Sequence, residues 1–463
     1  MALIKSVSGI RGTIGGQIGE SLSPLDVVKF SAAYGMWLKN QCKRECPIVV
    51  LGRDARLSGE TVRQLTVATL QNLGIDVIDL GLSTTPTVEM AVIMEKADGG
   101  IVLTASHNPK HWNALKLLNH HAEFLSEEAG NAVLLLAEKE DFSFVGVDRL
   151  GCYNLKEDYI QRHIKAILDL SLVDTQAIKA SGFKAVVDGV NSTGGIAVPM
   201  LLHALGVETV KLFCEPDGHF LHDPEPLCEH LSAICEKVLE VQADLGIAVD
   251  PDVDRLVFIC ENGDLFGEEY TLVAVADYVL EKKSGPTVSN LSSSRALQDI
   301  SIKRGVVYHS AAVGEVHVVE KMKQTSAVIG GEGNGGIIYP ELHYGRDALV
   351  GIALFLTQLA YFGGQISQLR MKYPVYFMSK QKIKLPPKTN VDSLLQALAK
   401  HYEKESPSLI DGVKIDFAEE WVHLRKSNTE PIVRIYAEST SQAKADILAN
   451  RFLNDIYQKI SVL

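Results

Sequence analysis

Apolar runs and polar turns alternate along most of the chain in a pattern that occurs three times. In each repeat, an apolar run leads into a polar turn and helical spacing, and a glycine then opens a second run. A third run follows and ends in an unusual loop; these third runs are residues 100–103, 245–249 and 327–329. Strands that alternate with helices predict α/β domains with mixed, largely parallel sheets.

The C-terminal part of the chain departs from this pattern. Three strand-like segments, at 412–417, 421–425 and 432–436, precede a predicted helix over 442–460, which indicates a smaller α+β domain. Ligands of open α/β sheets bind beyond the carboxyl ends of strands, so we expect the three unusual loops to share a central cleft. The predicted domains are three α/β domains at 1–152, 153–255 and 256–370, and an α+β domain at 371–463.

Composition narrows the function classes. The 463 residues are 46% hydrophobic and 22% charged, which is typical of a globular enzyme. The 57 Asp and Glu outnumber the 45 Lys and Arg, and the net charge of −12 repels nucleic acid and anionic membranes, so neither is an expected partner. A phosphorylated ligand therefore needs a local basic pocket. Seven cysteines without a CxxC pair, no signal-peptide pattern and no membrane-length apolar run predict a cytoplasmic location.

The loop at 250–255 carries three aspartates at alternate positions, Asp250, Asp252 and Asp254. Side chains alternate along an extended backbone, so the three carboxylates are expected to point the same way and to need a cation. Oxygen ligands favour Mg²⁺ or Ca²⁺ over zinc. A solvated acidic turn is the alternative. An EF-hand is excluded, although Glu261 falls at its twelfth position, because Arg255 occupies the place of the required glycine.

The loop at 104–109 places Ser106 beside His107. Adjacent residues of an extended segment face opposite sides, so the pair is not expected to form a proton relay, and no GxSxG motif surrounds the serine. The loop alone is also compatible with a polar turn ended by Pro109. A serine on a tight turn can nevertheless carry a phosphoryl group when a metal ion and cations meet it.

The loop at 331–336 satisfies GxGxxG, but a strand-like segment at 337–340 follows it where a dinucleotide site needs a helix. Glu332 and Asn334 suit the recognition of sugar hydroxyls, and a flexible hairpin is the alternative. A basic turn begins at residue 425 and is the best candidate for a phosphate site, with an exposed basic hairpin as its alternative. Its candidate ligands are Arg425, Ser427, Asn428, Thr429 and Arg434.

Taken in order, these four loops resemble those of the α-D-phosphohexomutase family, the phosphoglucomutase/phosphomannomutase superfamily, and the match covers essentially the whole chain. Residues 8–13, with Arg11 as a predicted substrate ligand, look like the family's opening loop. The resemblance implies three similar α/β domains and a movable C-terminal α+β domain around a cleft. It also implies that one Mg²⁺ ion per chain is held by the three aspartates and by Ser106, the serine that is phosphorylated.

The resemblance further implies the roles of other residues and the reaction. Lys116 matches a catalytic lysine, and Arg255 would face the transferred group. Glu332 and Asn334 match sugar contacts, and the basic turn matches the site of the non-reacting phosphate. The implied enzyme, a monomer or homodimer, interconverts hexose 6-phosphate and hexose 1-phosphate through a 1,6-bisphosphate, which also acts as activator.

Two departures from the family pattern affect the choice of general base and of the preferred sugar phosphate. Many members read Gly-Glu-Met-Ser-Gly-His in the sugar loop, where this chain has Asn334 and Gly336, and Glu315 stands where some relatives carry a histidine. His107, Lys116 and Glu315, in that order, are the candidate general bases. The Gly-Asn-Gly-Gly form favours glucosamine phosphate, with glucose or mannose phosphate as the alternative. A Mg²⁺-dependent phosphatase and a non-enzymatic sugar-phosphate sensor are the other classes considered.

Overall fold

The computed structural model describes residues 2–6, 9–386, 389–426 and 432–460. It confirms three α/β domains and a C-terminal α+β domain. The first sheet has the order β1-β2-β6-β5-β3-β4-β7, with parallel pairs from β5 to β7 and antiparallel pairs from β5 to β1. Its strands are β1 (Leu3–Ser6), β2 (Gly9–Thr13), β3 (Ile48–Arg53), β4 (Asp76–Leu82), β5 (Gly99–Leu103), β6 (Trp112–Leu118) and β7 (Tyr153–Leu155).

Helices pack on both faces of this sheet. One face buries the apolar sides of α1, α2 and α4, and the other buries α3. Thr84 caps the N-terminus of α3, and Pro86 in its first turn suits a helix start. The helices are α1 (Pro24–Gln41), α2 (Gly59–Asn72), α3 (Thr85–Glu95) and α4 (Glu127–Lys139).

The second domain has a four-stranded sheet with the order β11-β10-β8-β9, in which only β11 is antiparallel to its neighbour. Helix α7 packs on one face and α8 on the other. Its elements are α5 (Tyr159–Leu168), α6 (Thr175–Ser181), β8 (Lys184–Asp188), α7 (Gly194–Ala204), β9 (Glu208–Leu212), α8 (Ser232–Glu240), β10 (Leu245–Val249) and β11 (Leu256–Cys260).

The third sheet has the order β13-β12-β14-β15 and repeats the second, with antiparallel β15 at its edge. Helices α9 and α12 of this domain share one large core with the second domain. The elements are α9 (Glu268–Lys282), β12 (Thr287–Asn290), α10 (Ala296–Lys303), β13 (Tyr308–Ala311), α11 (Glu315–Thr325), β14 (Ile329–Glu332), β15 (Gly336–Ile338), α12 (Ala348–Phe362) and α13 (Ile366–Arg370).

The predicted functional loops lie in the same kind of connection in all three α/β domains. In each, a central strand turns through a short loop into an antiparallel neighbour, and the pairs are β5–β6, β10–β11 and β14–β15. The predicted loops at 104–109 and 250–255 lie in the first two turns, and the segment 331–336 runs from the end of β14 through the third turn to the start of β15. The repeat read from the sequence is therefore confirmed as a repeat of topology.

The C-terminal domain is a fully antiparallel sheet with the order β16-β19-β18-β17. Helix α15 buries Ala445, Leu448, Phe452 and Ile456 against it, as its spacing predicts. Its elements are β16 (Phe377–Lys384), α14 (Val391–His401), β17 (Val413–Asp416), β18 (Trp421–Lys426), β19 (Ile432–Ser439) and α15 (Gln442–Ile460).

Two strands lie just beyond predicted domain boundaries. Tyr153–Leu155 extends the first sheet by pairing with β4, and Leu256–Cys260 is the edge of the second sheet. The boundaries themselves stay a prediction. None of the helices in the described part of the chain is both long and apolar enough to span a membrane.

Candidate active site

A cavity of about 630 Å³ opens where the four domains meet. The predicted site residues whose side chains the structure describes line its wall, except the three aspartates. The aspartates are buried beside it. The predicted residues on the wall are Arg11, Ser106, His107, Lys116, Arg255, Glu315, Glu332, Asn334, Arg425 and Arg434.

Ser106 sits at the turn between β5 and β6 in a left-handed conformation, with φ of 49°. Its Oγ donates a hydrogen bond to Asp250 Oδ2 at 2.7 Å, so the serine loop and the acidic loop meet. His107 Nδ1 lies 3.4 Å from the same Oγ. The expectation that Ser106 and His107 face opposite sides was therefore wrong, because the left-handed turn breaks the extended alternation on which it relied.

Arg56 holds this loop in place, and sequence reasoning missed it. The buried guanidinium donates to the backbone carbonyls of Ser106, Asn108, Pro109 and Trp112. Its Nε also pairs with buried Asp54 at 2.9 Å. All the donors of the guanidinium are thus used to fix one turn. The signal in the sequence was weak: an Asp-x-Arg that directly follows the apolar strand β3.

The three aspartates converge, as predicted, but for a different reason. Residues 250–255 form a turn rather than an extended segment, and Val253 has φ of 64°. Asp250 Oδ1 accepts hydrogen bonds from the amides of Asp254 and Arg255, which folds the loop back on itself. One oxygen of each aspartate lies within 4.8 Å of the others. Glu261, the EF-hand alternative, instead accepts hydrogen bonds from Ser367.

The donor set fits a hard divalent cation. Asp252 Oδ1 and Asp254 Oδ1 are buried and make no hydrogen bond among the described residues. Burial, reinforced by Asp254 and Asp252, raises the pKa of Asp250 well above its usual value. Buried like charges of this kind are stabilised by a cation, and all-oxygen ligands match Mg²⁺.

Lys116, on β6, contributes positive charge to the same aspartates. Its Nζ donates to Asp252 Oδ2 at 2.7 Å and lies 3.5 Å from Asp254 Oδ2. Burial alone would lower the pKa of Lys116, but the two carboxylates raise it above its usual value. The side chain is therefore a cation at neutral pH and can donate a proton rather than accept one.

Arg346 is a second buried arginine that sequence reasoning missed. It donates to Asp254 at 2.7 Å, to Glu332 at 2.9 Å and to Glu315 at 2.9 Å, so one guanidinium joins the metal loop to the sugar loop. A Cβ at Gly336 would lie 2.4 Å from Arg346 Cδ, so the space of a side chain at that position is filled by Arg346.

Glu332 and Asn334 face the cavity from the β14–β15 turn. Glu332 also accepts hydrogen bonds from the side chain of Asn290 and the amide of Gly314. Burial alone would raise the pKa of Glu332, but Arg346 and Asn290 hold it below its usual value, so it is an ionised hydrogen-bond acceptor. Nearby Glu269, also on the wall, has a pKa raised to about 8 by burial.

His107 and two arginines occupy the serine side of the cavity. Burial, together with Arg255 and Arg11, lowers the pKa of His107 well below its usual value, so its imidazole is neutral at pH 7. Arg11 donates to Asn108 Oδ1 at 2.7 Å, and Arg255 donates to Glu225 at 2.8 Å. Both arginines line the cavity and keep these partners.

The fourth domain contributes Arg425 and Arg434, which are direct neighbours on β18 and β19. Like charges placed opposite each other in a sheet are unfavourable without an anion between or beside them. Asp411 pairs with Arg425 at 3.0 Å. The other predicted ligands of this turn, Ser427, Asn428 and Thr429, lie outside the described residues.

Comparison with known families accounts for the four-domain arrangement. The models of phosphoglucomutase/phosphomannomutase alpha/beta/alpha domains I, II and III match residues 3–144, 158–263 and 267–376, and the C-terminal domain model matches 382–454. The chain therefore belongs to the phosphoglucomutase/phosphomannomutase family, as the resemblance of its four loops implies. Its relatives are phosphohexomutases, which are isomerases. The family is Mg²⁺-dependent, and the acidic triad fits that requirement.

Individual relatives extend over nearly the whole chain. A phosphoglucomutase/phosphomannomutase of Thermococcus kodakarensis is 38% identical over 94% of this chain and 95% of its own length. A phosphoglucosamine/phosphogalactosamine mutase of Sulfurisphaera tokodaii is 31% identical over 98% of each chain. The crystal structure of a phosphoglucomutase/phosphomannomutase family protein of Burkholderia thailandensis superposes with a TM-score of 0.84 at 26% identity, covering 98% of this chain and 97% of that one.

Proposed function

We propose that this phosphohexomutase uses Ser106 as the carrier of the phosphoryl group that moves between O6 and O1 of a hexose. The observation that carries the proposal is the hydrogen bond from Ser106 Oγ to Asp250 at 2.7 Å, within a cavity that also contains Lys116 and Arg255. Phosphoryl transfer needs positioning and charge stabilisation above all, and this arrangement offers both.

In the proposed reaction, a hydroxyl of the hexose monophosphate attacks phosphorus on phospho-Ser106. The new bond joins phosphorus to the sugar oxygen, the bond to Oγ breaks, and the hydroxyl proton passes to a base. His107 is the first candidate, because its neutral imidazole adjoins the Oγ. Glu315 is held in an ion pair with Arg346, and Lys116 is a cation, so both suit this role less well. The second half reverses these steps from the other phosphate of the bisphosphate.

The residues that would hold one Mg²⁺ ion per chain are Asp250, Asp252, Asp254 and the Ser106 oxygen. A bound Mg²⁺ withdraws negative charge from the phosphoryl oxygens. Lys116 and Arg255 neutralise charge that develops on the moving group. Hexose 1,6-bisphosphate is the proposed activator, since it can phosphorylate Ser106.

Different parts of the cavity wall are assigned to different parts of the substrate. Glu332 and Asn334 would bind sugar hydroxyls, and Arg425 and Arg434 would bind the phosphate that does not react. Arg11, beside the serine loop, would be a further substrate ligand. Ser427, Asn428 and Thr429 stay predictions for the same phosphate site. Cytoplasmic location, a sugar phosphate as partner and a monomeric or homodimeric state also stay predictions.

Glucosamine phosphate is the proposed sugar. Glu332, whose pKa is held below its usual value, lines the cavity at the sugar loop, and an ionised carboxylate there attracts a 2-ammonium group. Glucose or mannose phosphate is the second candidate, because the phosphoglucomutase/phosphomannomutase of Thermococcus kodakarensis is the more identical of the two named sequence relatives.

The test compares wild type with Ser106→Ala on glucosamine, glucose and mannose 6-phosphates, each with a trace of its bisphosphate. We expect wild type to isomerise glucosamine phosphate fastest and, when incubated with at least one equivalent of the bisphosphate, to gain one phosphoryl group by intact mass. Ser106→Ala should gain none and lose activity by about a thousandfold or more. Ser181→Ala, which removes an exposed hydroxyl on α6, should match wild type. Near-normal turnover by Ser106→Ala, or inorganic phosphate as the main product of wild type, would contradict the proposal.

A further inference from the structure

A second buried polar cluster lies outside the cavity wall, where the first three domains meet. It consists of His163 on α5, and of His343 and Asp347 in the segment that leads into α12. Thr87 and Glu89 of α3 face the two histidines from the first domain. All five side chains are buried. The cluster therefore joins elements of the first three domains and is separate from the three aspartates of the active site.

The geometry of its three central atoms matches a metal centre. Asp347 Oδ2 lies 3.0 Å from His163 Nε2 and 3.3 Å from His343 Nε2. In a tetrahedral site with ligand bonds of roughly 2.0–2.1 Å, neighbouring ligand atoms are about 3.3 Å apart. The three atoms all lie within 4.8 Å of one another. One ion can therefore contact all three after a small adjustment.

The other polar atom of each proposed ligand has its own polar partner, as is usual for metal ligands in proteins. Asp347 Oδ1 accepts the amide of Leu349 at 2.8 Å as the N-cap of α12, which leaves Oδ2 for another partner. His163 Nδ1 meets Thr87 Oγ1 at 3.0 Å, and His343 Nδ1 faces Glu89 Oε2 at 3.3 Å. Partners on the second nitrogen fix the orientation of a ligating imidazole.

Glu89 supplies an independent reason to expect a cation. Its side chain is fully buried, yet neither carboxylate oxygen makes a hydrogen bond among the described residues. Burial of a carboxylate is costly, and the described group that faces this one is His343 Nδ1, at 3.3 Å. A cation on the far nitrogen of His343 would compensate it, because the imidazole transmits the positive charge to the Nδ1 proton that Glu89 faces.

We propose that His163, His343 and Asp347 bind a transition-metal ion, with Zn²⁺ as the first candidate. Two imidazoles and a carboxylate favour such an ion over Mg²⁺, and three protein ligands leave one position for water. Because no ligand is exposed, the ion would be enclosed during folding and would fix the first three domains relative to one another. The site is independent of the substrate and of the Mg²⁺ triad.

The test measures metal in the full chain after expression with added Zn²⁺ and desalting against Mg²⁺. We expect about one Zn²⁺ per chain by mass spectrometry of the metals, since such an ion binds as the chain folds. Asp252→Asn should keep this zinc, because Asp252 belongs to the Mg²⁺ triad and is not a ligand of the cluster. His343→Gln and His163→Gln should lose it, whereas His203→Gln, which changes an exposed histidine of α7, should retain it.

Two further readouts keep the test decisive if a histidine variant folds poorly. Wild type refolded with Co²⁺ should show the visible absorption of a four-coordinate site, and Zn²⁺ should displace it. A strong chelator should lower the midpoint of thermal unfolding of wild type, and added Zn²⁺ should restore it. Wild type that carries less than about a tenth of a Zn²⁺ ion per chain and gives no Co²⁺ spectrum would overturn the proposal. The cluster would then be held by hydrogen bonds alone.

Discussion

The hydroxyl of Ser106 donates to Asp250 at 2.7 Å, although the two residues are 144 positions apart. They meet because each lies on the same kind of turn, between a central strand and its antiparallel neighbour, in two adjacent domains. This contact joins the hydroxyl of the proposed phosphoryl carrier to the acidic triad. The contribution of the Asp250 charge can therefore be tested by substituting this residue.

Asp250→Asn should separate the role of the carboxylate charge from that of the loop. The amide oxygen can still accept from the backbone amides of Asp254 and Arg255, but the NH2 group can only donate to Ser106 Oγ, and the change removes one carboxylate of the buried triad. We expect activity to fall about a hundredfold or more with Mg²⁺, since metal ions stabilise transition-state charge by several kcal/mol. Without Mg²⁺, the variant should unfold at a higher temperature than wild type, because like-charge repulsion is relieved.

Calorimetry with Mg²⁺ or with a chelator checks both effects. Added Mg²⁺ should raise the unfolding midpoint of wild type but not that of Asp250→Asn. Asp264→Asn, in the exposed turn after β11, is the control and should respond to Mg²⁺ as wild type does. Equal Mg²⁺ responses in wild type and Asp250→Asn would contradict the assignment of the triad.

Arg56→Lys should loosen the serine turn. Lysine has at most three donors and no planar fork, so at least two of the groups that Arg56 bonds lose their partner. Each unsatisfied buried group costs about 1–3 kcal/mol, so both the unfolding midpoint and kcat should fall. Arg53→Lys, at the half-buried neighbour that pairs with Glu60, should change either quantity much less. Unchanged kcat in Arg56→Lys would show that the turn does not need this clamp.

Arg346→Lys should impair sugar binding and transfer together. The shorter point charge can reach one carboxylate well but cannot bridge Asp254, Glu332 and Glu315. Loss of charged hydrogen bonds worth about 1.5–3 kcal/mol each predicts a fall of roughly tenfold or more in kcat/KM. Steady-state kinetics on the preferred hexose phosphate measure it. Arg304→Lys, remote from the cavity, is the matched control, and equal kinetics in the two variants would refute the bridging role.

Protonation of His423 should weaken the contact between the third and fourth domains at low pH. Its Nε2 donates to the Asp411 carbonyl, and its Nδ1 lies 2.9 Å from Ser292 Oγ, from which a neutral ring can accept. Burial lowers its pKa to about 4, from an unfolded value near 6.5. The unfolded state therefore binds the proton first, and stability is lost as pH falls from about 6.5 towards 4, by up to roughly 1.4 kcal/mol per pH unit.

Unfolding midpoints measured between pH 4.5 and about 7.5 give the slope that linkage predicts for one group. His423→Gln lacks the titrating ring and should show a shallower slope, while other acidic groups contribute equally to both proteins. Parallel slopes for wild type and the variant would contradict the assignment.

The sequence contained enough to predict the central strands of the three α/β sheets and the turns that follow them, but strands β1, β2, β6, β7 and β16 were not among the predicted elements. Each turn follows an apolar β-branched strand, and helix 442–460 has the spacing that its buried face needs. Arg56 and Arg346 could not be found in the same way, because their partners lie in distant parts of the chain and local periodicity does not encode them. The left-handed conformation of Ser106 was equally hidden, since a serine gives no local signal for it.

Because the reactive turns belong to separate domains, catalysis depends on how those domains are docked as well as on how each is folded. Slight loosening at a seam would pull Ser106 away from Asp250 while every sheet stayed intact. Heat inactivation should therefore begin at a lower temperature than the loss of secondary structure. The fall in turnover would then report that the domains have begun to separate before any of them unfolds.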